Sequence, residues 1–217
     1  MKAILFGASG MVGQGVLREC LLDADVESIL SIGRTPLPEV AKLHQLQLPS
    51  EFSTIESQLT GYDACFFVLG VSSAGMSEAD YARTTYELTL AAATTLARLN
   101  PGMTFLYVSG AGTDSSEGGR TMWARVKGRT ENALLRLPFK AAYMFRPGFI
   151  QPLDGIQSKT RLYNFVYTLT APITPLLRKL FPGSITTTRQ LGKAMLRVAK
   201  QGYSKPILEM KDITLVA

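Results

Sequence analysis

Histidine occurs once in this chain, tryptophan once and cysteine twice. The lone histidine, His44, has no cysteine or acidic cluster beside it at metal-ligand spacing, so no metal site is expected. Cys20 and Cys65 lie in apolar surroundings and form no paired framework, and a reduced, cytoplasmic setting is the economical reading. No GxSxG elbow and no P-loop lysine motif occur, which removes two common hydrolase readings. Internal repeats and low-complexity segments are missing as well. The longest uncharged run, 162–177, spans 16 residues and is broken by Pro172 and Pro175. A bilayer span needs roughly 20 apolar residues, so a transmembrane helix is excluded. The opening "MKAILFG" reads at once as a strand and shows no signal-peptide pattern.

What is present is ordinary for a globular protein: 217 residues, 46% apolar and 18% charged. That length buries one sizeable core, so a single domain over 1–217 is expected. The net charge of +6 hides an asymmetry, because residues 1–119 carry 6 basic and 13 acidic side chains, and residues 120–217 carry 17 and 4. A basic C-terminal half could attract an anionic ligand, an acidic partner or an anionic membrane surface. Nucleic acid is not expected, since no compact basic run is interleaved with aromatics.

Short apolar runs alternate with helical stretches. "KAILFG" (2–7), "ESILSIG" (27–33), "YDACFFVLG" (62–70), "MTFLYVSG" (103–110) and "AAYMFRPG" (141–148) read as buried strands bounded by Gly or Pro. Between them lie helical segments at 11–23, 77–99 and 120–136, the second opening on a capping box at Ser77 and Asp80. Strands that are apolar throughout, separated by helices, point to a parallel sheet covered on both faces. The fold class is therefore α/β, a Rossmann-type doubly wound parallel sheet formed by 1–150. Residues 151–217, with the helix "TRQLGKAMLRVAKQG" and a last strand "PILEM", are expected to form a small C-terminal lobe on the substrate side.

"LFGASGMVGQG" sets Gly7, Gly10 and Gly13 directly after the first strand and at the start of a helix. Glycines there let the backbone turn tightly and approach a pyrophosphate, whose charge sits against the helix N-terminal amides. The spacing is GxxGxxG, and nucleotide binding follows from its context. The end of the second strand selects the cofactor, because an NAD site usually places an acidic residue there. This chain has "SIGRTP", with Arg34 where a 2′-phosphate would lie, and arginine is a fork-shaped donor suited to phosphate. NADP is expected over NAD.

With this turn, "VSGAG", "WARVK" and "FRPGFI", the chain resembles the short-chain dehydrogenase/reductase superfamily. More narrowly it is similar to the atypical branch described as NAD-dependent epimerase/dehydratase-like or NAD(P)H-binding, which includes Tat-interacting oxidoreductase-like proteins. The resemblance implies an oxidoreductase or epimerase acting on a small molecule, as a monomer or homodimer. It implies a pyrophosphate turn at Gly7, Ser9, Gly10, Met11, Val12 and Gly13, and backbone passing the adenine ribose at Gly70. It further implies that Ser109 hydrogen-bonds the substrate, that Lys127 holds the nicotinamide ribose, and that Pro147 and Gly148 meet the carboxamide.

The family's tyrosine would stand four residues before the lysine, on the same helix face. Here that position is Trp123, whose indole N–H donates a hydrogen bond but cannot deliver a proton usefully. Three readings stay open: a redox-inactive NADP(H)-binding regulator, another proton donor (Tyr107, Tyr81, Tyr86, Tyr163 or Thr121), or a substrate that needs little acid help. Two surface features add expectations. The polar, glycine-rich loop 109–121 suggests mobility beside the substrate opening. The segment 161–181, with Arg161, Arg178 and Lys179 flanking apolar faces, suits core packing, a lid, a dimer face or peripheral membrane contact.

Overall fold

A computed structural model describes residues 1–156 and 185–217. The segment 161–181, read for core packing, a lid, a dimer face or membrane contact, and Tyr163 lie outside the described residues.

Seven parallel strands form the main sheet. In chain order they are β1 (Lys2–Phe6), β2 (Ser28–Gly33), β3 (Leu43–Gln47), β4 (Ala64–Phe67), β5 (Thr104–Val108), β6 (Ala141–Arg146) and, near the C-terminus, β9 (Ile207–Glu209). In space the order is β3-β2-β1-β4-β5-β6-β9, so the chain reverses its winding between β1 and β4. Two further short strands, β7 (Phe149–Gln151) and β8 (Ile185–Thr187), pair in parallel as a separate ribbon.

Why the strands read as apolar throughout is visible in the packing. Ala3 and Leu5 point into one core with Ala64, Phe66 and Leu106, and Ile4 and Phe6 point into another with Cys65, Phe67 and Phe105. The first core is closed by α1 (Met11–Leu22), α5 (Thr188–Gln201) and α6 (Met210–Val216). The second is closed by the helix α3 (Leu88–Leu99), a 3₁₀ segment Phe52–Gln58 and α4 (Met122–Leu135). The central strands β1, β4 and β5 are buried on both faces, which removes the polar alternation of a half-exposed sheet.

The expected helix 77–99 is one continuous rod of α2 (Glu78–Ala82), a π-helical stretch Arg83–Glu87 and α3. Ser77 caps it by accepting from the Asp80 amide at 3.1 Å. Strand β3 was not anticipated. Its sequence LHQLQ mixes polar and apolar residues because it is the outer strand, and His44 lies exposed on it.

The described part of the expected C-terminal lobe is built into this sandwich. Strand β9 joins the main sheet beside β6, and α5 packs on α1. The two helices approach so closely that a methyl group on Gly15 would lie 2.5 Å from the Thr188 carbonyl oxygen.

Candidate functional site

Parallel strands all deliver their C-terminal ends to one edge, and a crevice opens where the winding reverses. Here a cleft of about 480 Å³ lies at that edge. After β1 it is walled by Gly10, Met11 and Val12, and after β4 by Val68, Leu69 and Gly70. Ser109, Gly110 and Ala111 follow β5, Pro147, Gly148 and Ile150 follow β6, and α4 contributes Trp123 and Lys127.

The glycine turn is shaped by close backbone approach. Gly7 has φ +87°, a left-handed conformation that favours glycine. A methyl group on Gly13 would sit 2.0 Å from the Gly7 carbonyl oxygen. Gly10 stands at the N-cap of α1 and supplies no side-chain cap, so the amides that open the helix face the turn without a cap from that residue. A positive helix end beneath a glycine turn fits a pyrophosphate. Gly7, Ser9 and Gly13 shape the turn from beneath and are not part of the cleft wall. Arg34 also lies outside the wall, exposed just past the end of β2, with no ion pair among the described residues.

Lys127 faces the same cleft from α4. It donates to the Ser109 carbonyl oxygen, which is its single hydrogen bond among the described residues. Burial in this wall pushes the ammonium down to about 8, against the opposing pull of Glu131, one turn further along the helix. Trp123 lies one turn earlier on the same face and also lines the cleft.

Ser109 presents its backbone to the cleft while its hydroxyl serves the interior. The hydroxyl donates to Glu131 at 2.5 Å, with the Phe145 carbonyl oxygen 3.1 Å away. A hydroxyl carries one proton, so Ser109 is left able to accept a hydrogen bond from a ligand but not to donate one.

The group that commits this serine is not among the residues singled out from the sequence. Glu131 is completely buried and takes three contacts from Arg146: Nε lies 3.1 and 3.2 Å from its two oxygens, and a terminal nitrogen 2.5 Å from one. Arg146 also reaches Ser115 at 2.5 Å and Glu209 at 3.1 Å. The partner carboxylate holds the guanidinium above its ordinary value. The i,i+4 spacing from Lys127 to Glu131, and the arginine before Pro147, were the only signals in the sequence.

The candidate replacements for the tyrosine are placed as follows. Tyr107 is fully buried in the Phe67 and Phe105 core, where burial drives its phenol well above the usual range. Tyr81 is buried also, and its phenol is raised for the same reason. Tyr86 carries the Arg129 guanidinium 4.1 Å from its ring centre, away from the cleft wall. Thr121 is the exposed N-cap of α4.

The loop 109–121, expected to be mobile, is tied down. Asp114 accepts from the Ser116 and Gly119 amides at 3.0 and 2.7 Å, and its own amide donates to Ala124 at 3.1 Å. Asn132 donates to the Ser115 carbonyl and to Glu117, and Arg125 to the Gly119 carbonyl. The loop packs on α4 at Gly128, where a methyl group would lie 1.7 Å from the Asp114 carbonyl oxygen. Composition suggested freedom; its polar groups are spent on local bonds instead.

Similarity to known proteins agrees with this architecture. No family model matches the chain. The protein "FMP52-2, mitochondrial" of Scheffersomyces stipitis is 26% identical over 224 residues, covering 99% of this chain and 92% of its own length. A short-chain dehydrogenase/reductase family oxidoreductase from Burkholderia thailandensis matches with a TM-score of 0.72 at 13% identity, over 100% of this chain and 93% of that one. The Bordetella bronchiseptica enzyme WbmG, in complex with NAD, matches with a TM-score of 0.69 at 13% identity, over 96% and 72%. The chain thus shares the Rossmann-type α/β fold of these structures. Among the described residues no helix is long and apolar enough to cross a membrane.

Proposed function

We propose that this chain is an NADP(H)-binding oxidoreductase-like protein acting on a small molecule at the C-terminal edge of its sheet. The observation that carries the reading is the uncapped N-terminus of α1 beneath a turn whose Gly13 leaves no room for a methyl group. That cradle opens onto the cleft that also holds Lys127. The solved structure of WbmG in complex with NAD, on the same fold, supports a nicotinamide dinucleotide.

In this reading the amides of Met11 and Val12 face the pyrophosphate and the Gly70 backbone passes the adenine ribose. Arg34 takes the 2′-phosphate, Lys127 the nicotinamide ribose, and the backbone around Pro147 and Gly148 the carboxamide. When bound, the dinucleotide supplies or accepts hydride at C4 of its nicotinamide. Ser109 contributes through its carbonyl oxygen, which orients Lys127, and through a hydroxyl oxygen still able to accept from a substrate.

A redox-inactive NADP(H)-binding regulator is the second reading. Trp123 favours it, standing in the cleft where a tyrosine would act. For location, the sequence favours the cytoplasm, while the relative FMP52-2 bears a mitochondrial name; cell fractionation separates the two.

The test is to titrate wild type and Arg34→Ala with NADPH and NADH, following nicotinamide fluorescence. Tight NADPH binding that Arg34→Ala weakens selectively, by about tenfold or more for a lost phosphate pair, is the expected result. Binding of neither dinucleotide would end the oxidoreductase reading.

A further inference from the structure

We infer that Lys127 itself delivers the proton to the substrate oxygen, in place of the tyrosine that this chain lacks. The inference rests on the oxidoreductase reading above and adds to it the group that completes the chemistry.

Position comes first. Lys127 and Trp123 stand one turn apart on the face of α4 that lines the cleft. Among the described wall residues Lys127 is the sole side chain that can exchange a proton near neutral pH; the rest are apolar residues, glycines, Ser109 and the indole. The phenols of Tyr107 and Tyr81 are locked in the core, and the Ser109 hydroxyl donates its hydrogen bond to Glu131.

Orientation follows. A lysine ammonium has three N–H donors. The Ser109 carbonyl takes one, which fixes the head group at the end of β5, and the other two have no partner among the described residues.

Electrostatics then decides whether the proton can leave. The walls from α1 (Met11, Val12), from the turn after β4 (Val68, Leu69, Gly70) and from the turn after β6 (Pro147, Gly148) bring no charge to Lys127. The nearest carboxylate, Glu131 on α4, is neutralised by Arg146 and forms no ion pair with Lys127. With desolvation dominant, the ammonium titrates near pH 8 and not at its ordinary 10.5. A donor matched to the working pH is what general acid catalysis requires.

For carbonyl reduction the step balances. The carbonyl carbon takes hydride from C4 of the reduced nicotinamide as the C–O π pair moves onto oxygen. That oxygen takes a proton from Lys127 Nζ. The substrate leaves as an alcohol, NADPH is the reductant, and the neutral Lys127 amine recovers a proton from water.

The experiment has two readouts. The first is an NMR titration of the chain carrying ε-¹³C lysine, with the Lys127 signal assigned by its loss in Lys127→Arg. The second is single-turnover oxidation of bound NADPH by 4-nitrobenzaldehyde and by 9,10-phenanthrenequinone across pH 6–10. The Lys127 signal is expected to titrate near pH 8, with the aldehyde rate level below that pH and falling above it. Lys127→Arg keeps the cation but holds its proton, so at saturating NADPH the aldehyde rate should fall roughly 10²–10⁴-fold. Titration of Lys127 at the ordinary lysine value, or an aldehyde rate unaltered in Lys127→Arg, overturns the inference. So does bound NADPH that reduces neither probe, which leaves the NADP(H)-binding reading standing in its redox-inactive form. Failure to bind NADPH removes the underlying reading as well, and is recognised before any rate is measured.

Discussion

Arg146, at the end of β6, grips both carboxylate oxygens of the completely buried Glu131 on α4. The pair joins the sheet to the helix that carries Lys127, and through the Ser109 hydroxyl it joins the end of β5 as well. Two charges withdrawn from water are tolerated here because each satisfies the other and neighbouring groups complete the set.

Breaking this pair from one side should therefore be severe. Arg146→Leu leaves Glu131 buried without a counter-charge, and a loss of about 3–5 kcal/mol is expected in urea unfolding. Replacing both, Glu131→Met with Arg146→Leu, should recover part of that loss. A single variant as stable as wild type would contradict the buried pair.

The glycine turn and the helix crossing can be separated. Gly13→Ala places a methyl group 2.0 Å from the Gly7 carbonyl oxygen, within the turn, whereas Gly15→Ala meets Thr188 on α5. Each should lower stability by about 1–3 kcal/mol through forced backbone shifts. Only Gly13→Ala should also weaken NADPH binding in the fluorescence titration. Equal loss of affinity in both would disconnect the turn from the nucleotide.

Gly128 is where the loop 109–121 rests on α4. Gly128→Ala must push the Asp114 carbonyl away from 1.7 Å, and the amide bonds made by Asp114 should go with it. Faster proteolytic cleavage within 110–119 is the expected outcome in a time course against wild type. An unchanged cleavage pattern would show that the loop does not depend on this contact.

Lys127 predicts a pH dependence of stability whose sign is unusual for a lysine. Its folded value is depressed to about 8 from 10.5, so between those values the unfolded chain binds more protons than the folded one. Stability should then rise with pH across that window, by up to about 3 kcal/mol, and the rise should vanish in Lys127→Met. Urea midpoints from pH 7 to 11 measure it. A slope shared equally by wild type and Lys127→Met would place its origin elsewhere.

Much of this was legible in the residues. The uniformly apolar runs of β1, β4 and β5 foretold a sheet buried on both faces, and Gly7 and Gly13 marked a turn with no room for side chains. Trp123, four residues before Lys127, posed the chemical question in the sequence itself. These signals are local: strand burial, helix capping and steric exclusion act within a few residues of chain.

Tertiary structure alone decided the rest. Strand β3 escaped notice because an outer strand needs only one neighbour and keeps a mixed composition. Residues 188–217 looked like an added lobe because nothing in them announces a partner more than fifty residues away in β6 or far earlier in α1. The commitment of Ser109 to Glu131, and of Glu131 to Arg146, joins three elements whose side chains meet only in the folded chain. A buried charge is stabilised by whatever lies within a few ångströms of it, and that distance is set by packing, not by position along the sequence.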